Sequence, residues 1–241
     1  NQSVIYIQDG LEGEPSVFID PNQLNEDGTT SIGLMGADKT NKYMAYSRSD
    51  AGSDWRKMYI RDIETNTDLE DELEWVKFSG AAWFGDGFFY SRYPAPAEGD
   101  ELKGDNTMHS VYYHKLGTPQ SADKLIFSDE ENPAYYNFGY TTEEEDFFIL
   151  NQQPGTDGFA VYVLDLRKSN SLDNPNFELL FDGFSNKNYV VHNEGEDFWV
   201  QTDYEAPNYR LVKMKLTEPA PENWMDVLPE SDNLLQSVST G

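Results

Sequence analysis

Between residues 42 and 230 one pattern restarts four times: apolar or aromatic runs separated by a tight polar turn, then a link and a further run. The first unit occupies residues 42–83, with strands predicted at 43–46, 58–63 and 73–78 and turns over 50–54 and 64–68. The others occupy 81–130, 136–184 and 187–230. The turn sequences DG (86–87), EEED (143–146) and EGED (194–197) fall at matching points in them. A repeat of roughly 45–55 residues built from short strands is that of a β-propeller blade. A β-sandwich also strings short strands together. It has no need to restart one unit four times, whereas a propeller must, because each blade hides its apolar face only against its neighbours. The fold class expected is all-β, a partial β-propeller of about four complete blades plus strands of two more. Residues 3–8 and 15–19 read as the last two strands of an earlier blade, and residues 234–238 as the first strand of a later one. The 241 residues are then expected to be a single propeller fragment cut from a longer polypeptide. If the ring stays open, two blade faces lie bare, which favours self-association.

Charge narrows the partners. Seventeen Lys and Arg stand against 44 Asp and Glu, a formal net charge of −27. A surface this acidic repels phosphates and offers no basic stripe, so nucleic acid is excluded as a partner. The same charge would attract cationic ligands, but its simpler reading is a solvated surface kept soluble by like charge. No apolar run approaches the roughly 20 residues of a membrane-spanning helix, so no membrane partner is expected. The 14% of aromatic residues suits strands packed face to face. Cysteine is absent, which removes disulfides and thiol chemistry from consideration and leaves the compartment open.

Catalytic signals are few. His109, His114 and His192 are the only histidines, and none has a paired ligand spacing. His114, after Tyr112 and Tyr113 on a strand, reads as a structural imidazole. No GxSxG elbow exists; Ser53 in GSDW and Ser185 in GFSNK have the wrong flanks. The acidic clusters at 68–72 and 143–146 lack the alternating ligands and glycine of a calcium loop and read as solvated turns. No catalytic residue, metal site or cofactor is expected from these residues.

Five segments carry a family likeness: LEGEPSVFIDPNQLNEDGTTSI (11–32), SDAGSDW (49–55), WVKFSGAAW (75–83), SVYYHKLGTPQSAD (110–123) and NEGEDFWVQTDYEAPNYRLV (193–212). In content, order and spacing they resemble the propeller domain of the prolyl oligopeptidases, serine peptidases that cut short peptides after proline. The resemblance implies a two-domain enzyme in which an α/β-hydrolase domain bears the Ser-Asp-His triad. A seven-bladed propeller caps that domain, admits short unstructured peptides and excludes folded proteins. The chain matches the middle blades, so the first and last blades and the hydrolase domain are expected to lie outside it, and it is expected not to hydrolyse peptides alone. Partners implied are short proline-containing peptides and the hydrolase domain of the same polypeptide.

The resemblance also assigns roles by motif position. Phe78, in VKFS, matches the propeller phenylalanine that lines the subsite for a residue upstream of the proline; the pattern of residues alone would make it a blade-core aromatic. Asp54, in GSDW, matches the aspartate that pairs with an arginine of the hydrolase domain. Tyr136 and Thr156 fall where the family can place a methionine and a cysteine at the same subsite, and Gly80 stands where some relatives carry a cysteine. These departures would make the rim of the subsite more polar and free of thiols. A reading from another class stays open beside this one, a free-standing propeller that binds a protein or peptide without chemistry.

Overall fold

The computed structural model describes residues 2–25, 28–50, 52–97, 106–168 and 172–239. Two of the likeness segments include positions outside this set, residues 26–27 and Ala51. Four antiparallel four-stranded meanders follow one another along the chain. Blade 1 contains β3 (Ser31–Ala37), β4 (Tyr43–Ser49), β5 (Arg56–Asp62) and β6 (Thr67–Val76). Blade 2 contains β7 (Ala82–Phe84), β8 (Gly87–Arg92), β9 (Ser110–Lys115) and β10 (Lys124–Phe127). Blade 3 is β11 (Tyr136–Thr141), β12 (Phe147–Gln153), β13 (Ala160–Asp165) and β14 (Glu178–Phe181). Blade 4 is β15 (Asn188–Glu194), β16 (Asp197–Thr202), β17 (Arg210–Lys215) and β18 (Met225–Leu228). A two-stranded piece, β1 (Ile5–Ile7) with β2 (Ser16–Ile19), precedes them. Blades 1 and 2 are additionally joined by the pair Val76↔Arg92.

The runs FFY and FFIL are apolar at consecutive positions because a blade's middle strands are covered on both faces. Phe88 and Tyr90 pack with Ala45, Met58, Ile60 and Leu73 of blade 1, while Phe89 between them turns to Phe148 and Leu150 of blade 3. Phe147 and Ile149 in turn face Val190, Phe198, Val200 and Val212 of blade 4. Each core is thus the seam between consecutive blades, as stacked repeats require. Phe18 and Ile19 of the β1–β2 piece close the outer face of blade 1 against Tyr46. Arg61 ties this seam by donating to the Phe18 carbonyl, and Asn66 Nδ2 donates to the Val17 carbonyl at 3.1 Å.

The turn between the first two strands is built alike in every blade. Asn41, Gly85, Glu145 and Gly195 take positive φ there, at 55°, 60°, 59° and 59°. Asparagine and glycine adopt this conformation at little cost, whereas Glu145 carries it against its preference.

Four expectations need correction. The unit at 42–83 is not one blade. Its first strand is Ser31–Ala37, too rich in glycine to read as a strand, and Trp83 already belongs to β7 of the next blade. The acidic cluster 68–72 is not a turn but lies within β6, with Asp71 buried. Residues 234–238 form no strand; this segment runs along blade 4, where the Leu235 carbonyl accepts from Gln201 Nε2 at 2.7 Å and its N–H donates to the Asn208 carbonyl at 2.9 Å. Phe78 does not continue the strand ending at Val76: its φ is +52°, and the ring is 59% exposed rather than in a blade core.

Candidate functional site

In a four-stranded meander the first and third turns open on one end of the blade. The second turn and the crossing to the next blade open on the other. The turns 38–42, 142–146 and 194–197, the last two acidic, therefore share one rim. The opposite rim includes the crossings 77–81, 128–135 and 182–187 and the second turns at 52–55, 154–159 and 203–209. Asp54, Phe78, Tyr136 and Thr156 all fall on this second rim.

Phe78 stands between two cavities. On one side is a groove of about 510 Å³ lined by Phe78, Tyr136, Phe138, Gln153, Pro154, Gly155 and Thr156. Tyr136 and Phe138 share a face of β11 by strand alternation, and Gln153 lies opposite Tyr136 in the β11–β12 register. The Phe78 and Tyr136 rings meet edge to face, centroids 5.3 Å apart. The structure thus brings three of the four named residues into one lining. Asp54 is outside it, in a second cavity of about 350 Å³ that also has Phe78 in its wall and includes Arg56 and Lys77. The Asp54 carboxylate is 83% exposed and lies 3.5 Å from Lys77 Nζ.

The exposed ring is held by its neighbours on the backbone. The Lys77 carbonyl accepts from His109 Nε2 at 2.8 Å, and the Ser91 N–H donates to Ser79 Oγ at 2.8 Å, so the residues flanking Phe78 are both anchored. On its other nitrogen, His109 Nδ1 accepts the Asn137 N–H at 3.0 Å, while Asn137 Nδ2 donates to the His109 carbonyl at 2.7 Å. A carbonyl can only accept and a backbone N–H can only donate. The imidazole is therefore the neutral Nε2–H tautomer. It is 1% exposed, and burial pushes its pKa down to about 4. One buried ring links Lys77, next to Phe78, with Asn137, next to Tyr136.

Aromatic contacts extend the support. Tyr93 lies 4.7 Å from the His109 ring and 5.8 Å from Trp55, and the Lys77 ammonium sits 5.1 Å from the Trp55 centroid and 5.7 Å from that of Phe78. Sequence reasoning missed His109, Lys77, Phe138 and the Gln153–Gly155 segment. His109 carries no local signal, since its partners are 32 and 28 residues away.

His114 is a separate structure. Its Nδ1 donates to Asp123 at 2.7 Å and its Nε2 to Asp71 at 2.9 Å, with all three side chains buried. Burial opposes the charge, but the two carboxylates outweigh it and raise the pKa, making His114 an imidazolium clasp between β6 and β9.

Chemically, the groove offers rings, an amide, a hydroxyl and proline carbons, which suit contact with an apolar side chain and hold no imidazole to activate a nucleophile. Ser53 and Ser79, in the second cavity, accept from the N–H groups of Trp55 and Ser91. Among the described residues no three His, Cys, Asp or Glu side chains converge as metal ligands.

Consecutive four-stranded meanders stacked face to face, with loop-borne aromatics on one rim, define a β-propeller. The profile of the family described as "Prolyl oligopeptidase, N-terminal beta-propeller domain" matches residues 1–241, and the chain belongs to that family. It is 40% identical over 241 residues to the prolyl endopeptidase of Elizabethkingia miricola and 41% identical to that of Elizabethkingia meningoseptica. Each match covers 100% of this chain and 33% of the relative, so the chain spans about a third of their length. Among solved structures, one from a mechanistic study of two prolyl endopeptidases superposes with a TM-score of 0.81 at 30% identity, covering 94% of this chain and 31% of that one. Prolyl oligopeptidase B from Galerina marginata, bound to a 25mer macrocyclization substrate, superposes at 0.84 and 26% identity, covering 95% and 35%.

Proposed function

We propose that this chain is the substrate-gating propeller portion of a proline-specific serine oligopeptidase, without catalytic residues of its own. In this reading the groove between Phe78 and Tyr136 takes the side chain of a residue upstream of the proline. Thr156 borders that subsite, and Asp54 faces an arginine of an α/β-hydrolase domain in the same polypeptide. The observation that carries the reading is the convergence of Phe78, Tyr136 and Thr156 on one groove of about 510 Å³, from positions as far apart in sequence as 78 and 156. A preformed apolar recess with a few polar groups at its edge is the usual form of a ligand subsite.

The test uses a full-length polypeptide containing this chain, given a ten-residue proline peptide and the same segment displayed in a loop of a stable folded domain. Cleavage of the free peptide after proline, with the folded form at least about a hundredfold slower, is expected. Equal cleavage of both removes the gating role, and cleavage of neither removes the peptidase reading.

A further inference from the structure

We propose that the second cavity, which shares Phe78 with the apolar groove, is a subsite for a carboxylate: the Asp or Glu side chain of a bound peptide. The inference rests on the reading of Phe78 as a peptide contact and adds a charge preference to it.

In a chain of net charge −27, most of the described Lys and Arg side chains stand within ion-pair distance of a carboxylate. This cavity of about 350 Å³ has two cationic side chains in its wall, Arg56 and Lys77, against one carboxylate, Asp54. Arg56 has no carboxylate partner among the described residues. Its Nη1 donates to Ser47 Oγ at 3.1 Å, which leaves most of the guanidinium's five donors to the cavity and solvent. The guanidinium has room because β3 carries Gly33 beside it: a Cβ there would come within 3.2 Å of Arg56 Nη1 and 3.1 Å of Ser47 Oγ.

Lys77 is placed by different means. Its side chain is 14% exposed and its ammonium rests near the rings of Trp55 and Phe78. Its contact with Asp54, at 3.5 Å to a carboxylate 83% exposed, is a loose surface pair. An incoming carboxylate can take the inner position beside Arg56 and Lys77 while Asp54 turns outward into water. Two cations held on separate elements, Arg56 at the start of β5 and Lys77 on the crossing after β6, match a carboxylate's geometry better than a single flexible one, and Arg56 can engage it through two parallel N–H donors. Phe78 then serves as a partition, with an apolar side chain on one face and an acidic neighbour on the other.

The experiment measures binding to this chain by titration calorimetry at low salt, using acetyl-Phe-Glu-Pro-amide and acetyl-Glu-Phe-Gly-Pro-amide, each against its Gln counterpart. At least one Glu peptide is expected to bind about fivefold more tightly than its Gln partner, the size of a partly exposed ion pair. Arg56→Gln should reduce that ratio to near one. Asp54→Asn should widen it, because it removes the competing carboxylate, and 1 M salt should erase it. Equal binding of Glu and Gln peptides overturns the carboxylate subsite while leaving Phe78 as a peptide contact. A Glu preference that survives Arg56→Gln also overturns it, and binding of none of the four peptides overturns both readings.

Discussion

Phe78, on the crossing between blades 1 and 2, and Tyr136, at the head of the first strand of blade 3, meet edge to face at 5.3 Å across a blade they do not belong to. The contact joins positions 58 residues apart, and what makes it possible is the His109 imidazole behind it, bonded to the residue before Phe78 and the residue after Tyr136. An exposed ring on a left-handed backbone would otherwise be free to turn with its loop.

His109 makes the site sensitive to acid. Its folded-state pKa of about 4 lies below the ordinary 6.5, so between those values the unfolded chain binds a proton that the folded chain refuses. The stability it contributes is complete above pH 6.5 and is lost as pH falls toward 4. At about 1.4 kcal/mol per pH unit the loss amounts to about 3 kcal/mol. Urea unfolding at pH 7 and pH 4.5 should show it as a steeper decline in the wild type than in His109→Gln. That variant should itself be about 1–2 kcal/mol less stable at pH 7, because the Asn137 N–H loses its acceptor.

His114 has the opposite sign. With its pKa raised, its contribution is complete below 6.5 and is lost as pH rises through the folded-state value. His114→Ala leaves Asp71 and Asp123 facing each other without a cation between them, at an expected cost of about 3–5 kcal/mol in chemical denaturation. Adding Asp71→Asn and Asp123→Asn should recover a large part of that loss. A single variant as stable as the wild type would show that no charge is held there.

The ion pair between Lys39 and Glu144, at 2.5 Å, spans the turns of blades 1 and 3, yet both side chains are at least half exposed. Solvent screening makes such a pair contribute little. Lys39→Ala should leave the urea midpoint almost unmoved, and any difference should vanish in 1 M salt.

The repeat was legible in the sequence because runs such as Phe147–Leu150 are apolar at every position, the mark of strands buried on both faces. Blade 1 was misread at both ends for physical reasons. Ser31–Ala37 carries two glycines and alternates only weakly, and its pairing with β4 bulges between Leu34 and Gly36. The cluster at 68–72 looks like a solvated turn until His114, 43 residues on, supplies the charge that lets Asp71 be buried. That Phe78, Tyr136 and Thr156 belong to one groove was legible only through the family likeness, since no periodicity connects a blade crossing, a strand head and a loop. Neither route exposed His109, whose role depends on a carbonyl and an N–H that every sequence has.

The most direct test of the account is the selectivity change caused by Phe78→Ala in the full-length polypeptide. The measurement compares kcat/KM for a proline peptide with a bulky apolar residue upstream against kcat/KM for a minimal proline substrate. A fall of about tenfold or more in the first, with the second little changed, is expected from the loss of an aromatic contact that a bound side chain would cover, worth about 1.5–3 kcal/mol. Equal losses on both substrates, or none on either, would contradict the placement of Phe78 at the subsite.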